Sequence, residues 1–122
     1  MDDCANLGRL GERAAEKFLK RQRYRIVTRN YECPVGEIDL VALDGATVVF
    51  VEVKTRADRD HADPQDAVNF GKQQRLARSA NFFLRQTHSV GRACRFDIIA
   101  ISGQAGDSLQ IEHIPNAFSP EA

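Results

Sequence analysis

A chain of 122 residues, 43% hydrophobic and 28% charged, suffices for one folded core and leaves no room for a second catalytic domain. No apolar run is long enough to cross a bilayer, and the acidic start Met1-Asp2-Asp3-Cys4 lacks a hydrophobic secretory segment, so a cytoplasmic protein without a membrane partner is expected. Net charge is zero but unevenly spread: eight basic residues lie between Arg9 and Arg29 against Glu12 and Glu16, and six between Lys72 and Arg95 with no acid among them. Such separation suits a basic surface around an acidic pocket, and solvated helix faces give the same composition.

Residues 8 to 22 read as an amphipathic helix, with Leu10, Ala14, Ala15, Phe18 and Leu19 near the helical period. Residues 24 to 31 are rich in strand formers and read as a first strand. Pro34 and Gly36 introduce a second strand over 37 to 43, Asp44-Gly45 supplies the hairpin turn, and 47 to 55 form a third strand. The acid-rich stretch 57 to 66, with Pro64, reads as a mobile loop, and 67 to 86 resume helical periodicity. Strands at 95 to 101 and 109 to 114 follow, separated by Gly103 and Gly106, with Pro115 and Pro120 framing a loose C-terminal tail. The expected order is α-β-β-β-α-β-β: a single α/β domain over 1–122, with a mixed sheet flanked by helices and a loose N-terminal tip. Cys4, Cys33 and Cys94 are too few and too scattered for a disulfide framework or a zinc cluster.

The chemistry concentrates between Gly36 and Lys54. With Asp44 and Gly45 as the central turn residues, Asp39 lies opposite Phe50 and Glu37 opposite Glu52. Asp39 and Glu52 are then diagonal neighbours on one face, their β-carbons roughly 7–8 Å apart, and Lys54 shares that face. Ile38, Leu40, Val49, Val51 and Val53 are expected on the opposite, apolar face. Two readings fit the acidic face. It is a solvated polar edge, or Asp39 and Glu52 hold a magnesium or manganese ion, with the Val53 carbonyl as a further oxygen ligand and Lys54 beside a phosphate or the attacking water. Glu12 is the best further metal or metal-water partner, with a solvated helix position as the alternative.

These residues carry a resemblance. Gly8-x-x-Gly11-Glu12-x-x-Ala15, Arg29-Asn30-Tyr31, Gly36-Glu37-Ile38-Asp39-Leu40, Phe50-Val51-Glu52-Val53-Lys54-Thr55-Arg56, Lys72-Gln73-x-Arg75-Leu76 and Arg95-Phe96-Asp97 occur in this order. From about Leu7 to Ile114 the chain resembles the UPF0102 (YraN-like) family, whose fold looks like that of restriction endonucleases and archaeal Holliday junction resolvases. The resemblance implies a restriction-endonuclease-like α/β fold. It makes Asp39 the first acid of the nuclease motif, Glu52 and Lys54 its Glu-x-Lys half, and Glu12 the helix glutamate that assists the metal. Gln73 or Gln74 would occupy the place of a polar helix residue in related nucleases.

Arg56, Lys72, Arg75 and Arg78 are candidate phosphate contacts, with plain solvent exposure as the alternative for each. Asn30 and Tyr31 either shape the pocket or serve turn and packing roles, and Arg95 and Asp97 share a strand face as a structural ion pair. His61, His88 and His113 lack ligand-like spacing and are expected in loops or on the surface. The leading expectation is a Mg²⁺- or Mn²⁺-dependent endonuclease acting on DNA, in branched or partly single-stranded form, with RNA left open. The alternatives are a nucleic-acid-binding module without turnover and a protein-interaction module. Monomer and homodimer both stay open, although symmetric cleavage of a four-way junction needs two active sites.

Overall fold

Helix α1 (Asp3–Arg21) begins well before its apolar stripe, so the expected loose N-terminal tip is helical from Asp3 onward. It ends where Arg23 adopts φ +70° and the Tyr24 N–H donates to the Leu19 carbonyl at 2.9 Å, a left-handed cap that turns the chain into the sheet. The computed structural model describes residues 3–56, 68–103 and 108–119, with side chains from residue 8 onward. The stretch expected to be a mobile loop, 57 to 66, lies outside the described residues.

Strands β1 (Arg25–Cys33), β2 (Gly36–Asp44) and β3 (Thr47–Arg56) form an antiparallel meander. Helix α2 (Phe70–Gln86) then crosses over to β4 (Cys94–Ser102), parallel to β3, and β5 (Gln110–Phe118) returns antiparallel on the outer edge. The five strands lie in the order β1-β2-β3-β4-β5, the mixed α/β sheet expected from the alternating pattern. Among the described residues no helix is long and apolar enough to cross a membrane.

Each helix covers one sheet face. Ala15 and Leu19 of α1 pack on Leu40, Val49, Val51, Ile99 and Ile101. Leu76, Ala80, Phe83 and Leu84 of α2 pack on Ile38, Val41, Val48, Phe50 and Ile98. Central β3 is therefore buried continuously from Val48 to Glu52, as a strand covered on both faces must be. Gly11 sets the closeness of α1 to β3: a β-carbon there would lie 1.9 Å from Thr55 Cγ2. Helix α2 starts at Phe70 rather than 67 because Asn69 caps it, its side chain accepting from the Lys72 N–H at 2.9 Å.

The hairpin register differs from expectation. Asp44 pairs with Thr47, so the central turn residues are Gly45 and Ala46. Gly45 takes φ +60°, and Ala46 has no positive φ, the pattern of a turn that needs the left-handed conformation only at its first central residue. Pairing runs from there to Leu40 opposite Val51. Continued by one residue, it sets Asp39 against Glu52 instead of diagonal to it. Glu37 pairs with Glu32 of β1, not with Glu52.

A second correction concerns the faces. Ile38 joins the core beneath α2 while Leu40 joins the core beneath α1, so the two do not share a face. The same exchange occurs in the neighbouring strand, where Arg29 bonds to Glu16 of α1 and Tyr31 packs edge-on against Phe83 of α2. Between them Asn30 adopts φ +48°, the local cause of the swap. Asp39 sits at the matching point of β2, between the two faces.

Strand β5 also outruns its expected end at Ile114, continuing through Pro115 to Phe118. An edge strand tolerates a proline, and a register shift between Phe96 and Ile98 marks a bulge where Asn116 takes φ +50°. The Asn116 N–H turns onto Asp97 Oδ1 at 2.9 Å. His113, expected in a loop or on the surface, is a half-buried β5 residue with Nε2 2.8 Å from Asp97 Oδ2. His88 is exposed after α2, and His61 lies outside the described residues. Cys33 and Cys94 are free thiols.

Candidate functional site

Beyond Leu40 and Val51 the β2–β3 ladder gives way to a side-chain bond: the Val53 N–H donates to Asp39 Oδ2 at 2.8 Å. In an extended strand a residue's N–H and C=O leave on the same side. The Val53 carbonyl is therefore directed toward β2 as well, the side on which Asp39 lies. The turn at Gly45 and the irregular backbone at Asn30 thus deliver one carboxylate into the mouth of the β2–β3 fork.

Glu52, only 8% exposed, stands on the neighbouring strand. Burial, the adjoining Glu52 carboxyl and the more remote Glu12 push the Asp39 pKa up to about 8, against the lowering effect of the Val53 N–H. Glu52 Oε2 is buried and receives no aligned hydrogen-bond donor. Lys72 Nζ stands 2.9 Å from it, at ion-pair distance but not directed as a hydrogen bond.

Lys72 also meets Lys54. That contact, followed by burial, lowers the Lys54 pKa, although Glu52 and Asp39 oppose the shift. Burial works against the charged form of Lys72 too, but Glu52 and Lys54 carry its pKa above the ordinary value. Of the two amines, Lys72 holds its proton and Lys54 gives its proton up more readily.

The carboxylates open into two clefts, one on each sheet face. The α2-side cleft, about 250 Å³, is lined by Asp39, Glu52, Lys72, Arg75, Ser79 and Gly36. Gly36, at φ +151°, has no room for a side chain, since a β-carbon would lie 2.8 Å from Ser79 Oγ. The α1-side cleft, about 480 Å³, contains Asp39, Asn30 and Glu12 with a row of basic residues from α1. Asp39 lines both.

The predicted site residues sort accordingly. Asp39, Glu52, Lys54 and Lys72 meet, with the Val53 main chain beside them. Glu12 reaches the Asp39 side of the α1 cleft, but among the described residues no three acidic, histidine or cysteine side chains form one metal-sized cluster. Arg75 lines the α2 cleft and Arg78 is exposed farther along α2. Arg56 ends β3, its carbonyl accepting from the Gly103 N–H at 3.1 Å. Gln73 is used locally, donating to the Val68 carbonyl at 3.0 Å, and the Tyr31 hydroxyl donates to Gln86 at 2.7 Å. Sequence reasoning placed Lys72 among phosphate contacts and missed its ion pair with Glu52. No periodicity encodes how far the first turn of α2 lies from β3.

Residues 11–101 match the model of the uncharacterised protein family UPF0102. The chain belongs to that family. Among its UPF0102 relatives, a protein of Geobacter metallireducens is 47% identical over 113 residues, spanning 93% of this chain and 92% of its own length. A relative from Symbiobacterium thermophilum is 45% identical over 112 residues, 92% of this chain and 95% of that protein. One from Desulfosudis oleivorans is 43% identical over 111 residues, 91% and 88% respectively. The UPF0102 match begins at Gly11 and ends at Ile101, so it contains the whole constellation of Glu12, Asp39, Glu52, Lys54 and Lys72.

Proposed function

We propose that this UPF0102 protein is a divalent-metal-dependent endonuclease hydrolysing DNA phosphodiester bonds, with branched or partly single-stranded DNA as its substrate class. One observation carries the reading. Half-buried Asp39 and buried Glu52 converge at the fork of β2 and β3, with Lys72 lining the cleft beside them and Lys54 in contact with Lys72. Lys72 pairs with Glu52, yet the cluster still sets Asp39 against Glu52 and Lys54 against Lys72. Shifts of this kind, in a cleft, mark sites where charge is handled during a reaction.

The residues fit a Mg²⁺ or Mn²⁺ ion. Magnesium is commonly held by one or two carboxylates together with waters and substrate phosphate, and Asp39, Glu52 and the Val53 carbonyl supply that set. The raised pKa of Asp39 beside buried Glu52, whose cationic neighbour at 2.9 Å is Lys72, fits a site that can take a further positive charge. When bound, the ion polarises the phosphoryl group and acidifies water. Lys72 and Arg75 on the α2 wall hold the phosphate by charge. Lys54, with its lowered pKa, accepts a proton from the attacking water as the new P–O bond forms and the ester P–O bond breaks, while the leaving oxygen is protonated by solvent. Glu12 orients water on the α1 side.

The test is cleavage of linear, flap, single-stranded and four-way DNA in Mg²⁺, Mn²⁺ or EDTA by wild type, Glu52→Gln and Asp39→Asn. Metal-dependent cleavage is expected, lost by about a hundredfold or more in either variant, since even an outer partner of a metal ligand is worth 10–100-fold. Equal cleavage by all three proteins would assign the activity to a contaminant or another centre.

A second reading has its own support. Lys72 at 2.9 Å already partly neutralises Glu52 without any metal, as in a nuclease-like scaffold that binds nucleic acid without cutting it. Salt-sensitive DNA binding with no cleavage in either metal would select that reading.

A further inference from the structure

The larger cleft, about 480 Å³ between α1 and the β1–β2 sheet surface, plays little part in the chemistry above. Arg9, Arg13, Lys17 and Lys20 of α1 line one wall and Arg29 of β1 the other, five basic groups against Glu12, Glu16 and Asp39. Glu16 fixes two of the cations, accepting from Arg29 NH2 at 2.7 Å and standing 2.9 Å from Lys20 Nζ. Arg13 and Lys17, one helical turn apart, are both exposed along the rim. Asp39 lines this cleft and also the pocket on the other sheet face.

We propose that this cleft is a second binding site, which holds the sugar–phosphate backbone of one DNA strand leading away from the scissile phosphate. The inference rests on the nuclease reading for its ligand class and goes beyond it in naming a second surface and a strandedness.

Three features carry it. Among the described residues the lining holds five cations against three acids and no aromatic ring, so it offers phosphate contacts without base stacking and reads backbone rather than sequence. The volume admits a short run of one backbone, whereas the major groove of a double helix is alone roughly 12 Å wide. Asp39 lines this cleft as well as the α2-side one, so a strand lying along the cations has the fork within the same cleft. Solvation accounts for cations on an exposed helix face. Glu16 accounts for Arg29 and Lys20, and Arg13 and Lys17 then line the same cleft as half-buried Asp39.

The test separates this site from the cleavage reaction. Binding is measured in EDTA by fluorescence anisotropy, with a labelled duplex bearing a single-stranded tail and with the same duplex blunt-ended. Wild type is compared with Arg13→Gln/Lys17→Gln, each first shown to melt cooperatively. The double variant should bind the tailed duplex roughly tenfold more weakly at low salt, its slope of log K against log salt shallower by about 1.4, two single-strand phosphate contacts. Its affinity for the blunt duplex should change little. Unchanged affinity and slope for the tailed duplex would overturn the proposal, and the nuclease reading would still stand if wild type cleaves. If wild type binds the tail without cutting in Mg²⁺ or Mn²⁺ and the variant loses that binding, the cleft survives and the nuclease reading falls. Equal losses on tailed and blunt duplexes would make the surface a general duplex contact and overturn the single-strand claim.

Discussion

Two aspartates occupy strand interiors of the same sheet and are driven in opposite directions. Asp97 of β4 is 0% exposed, yet its pKa is lowered: burial alone would raise it, but His113, Arg95 and the Asn116 N–H outweigh burial. Asp39 of β2 is also pressed by burial, receives the Val53 N–H as its one backbone donor among the described residues, faces Glu52, and rises to about 8. Burial has the same sign in both cases, so the supply of donors decides. Around Asp97 the chain has finished its own electrostatics. Arg95 Nε lies 3.0 Å from Oδ1, Arg95 NH1 3.0 Å from Asp44, and the Arg95 guanidinium sits over the Tyr24 ring at 5.5 Å. Around Asp39 donors are fewer, one backbone N–H against the adjoining Glu52 carboxyl, and the proposed cation and phosphate would make up that deficit. The first aspartate ties β5 to β4, and the second is the one on which the proposed chemistry rests.

That contrast predicts effects of opposite sign. Asp97→Ala takes from half-buried Arg95 one of its two carboxylates, leaving Asp44, and takes the acceptor from the Asn116 N–H, and should destabilise the fold by about 2–4 kcal/mol in urea denaturation. A loss near zero would mean that the network is decoration. Because the folded pKa of Asp97 lies below its ordinary 3.8, its stabilisation is fully present above that value and disappears as pH falls through the folded pKa.

Asp39→Asn should do the reverse. A carboxyl that keeps its proton to about pH 8 when folded, but ionises near 3.8 when unfolded, makes stability fall as pH rises between those values. The asparagine oxygen still accepts from Val53 and cannot ionise. Without metal the variant should gain roughly 1–3 kcal/mol at pH 8 and little at pH 4. Mn²⁺ should raise the melting temperature of wild type and not that of the variant. A destabilised Asp39→Asn protein would place Asp39 with Asp97, as a structural group.

Gly11→Ala probes how the deficit is held in place. Its methyl group would collide with Thr55, and overpacking of this kind costs about 1–3 kcal/mol. Because α1 must move to relieve it, Glu12 should shift from Asp39, lowering cleavage more than the Asp97 variant does among molecules that remain folded. Activity normalised to folded fraction makes the comparison.

The element order was legible because each segment carries its own period: the apolar stripe of α1, the valines of β3 and the Ile98-Ile99 run of β4. The pairing of Asp39 with Glu52 was legible only approximately. Whether Asp44-Gly45 or Gly45-Ala46 forms the centre of the turn depends on the turn type, and both choices contain the same glycine. The face swap left no signal, because a left-handed Asn30 inside a strand does not differ in sequence from an extended one. The same holds for the Asp97 cluster. Arg95 and Asp97 are two residues apart and could be paired by eye, but His113 and Asn116 reach them from a strand continuing past a proline.

Glu16 sharpens the contrast with the smallest effect. Its pKa falls to about 2, chiefly through the hydrogen bond from Arg29; burial, the next largest influence, opposes this, and Lys20 assists. Yet Arg29 is 58% exposed and Lys20 55% exposed, so water and salt compete for both partners. The folded pKa lies below the ordinary 4.5, so whatever stability the cluster gives is present above that value and fades as pH approaches about 2. Glu16→Gln should therefore move the urea midpoint far less than Asp97→Ala, and the difference should vanish in high salt. The same change frees Arg29 and Lys20 in the α1 cleft, so tailed-duplex binding should tighten as stability stays nearly constant. If Glu16→Gln instead destabilised the protein as Asp97→Ala does, the size of a pKa shift, and not the burial and number of its donors, would be what separates a structural carboxylate from a working one.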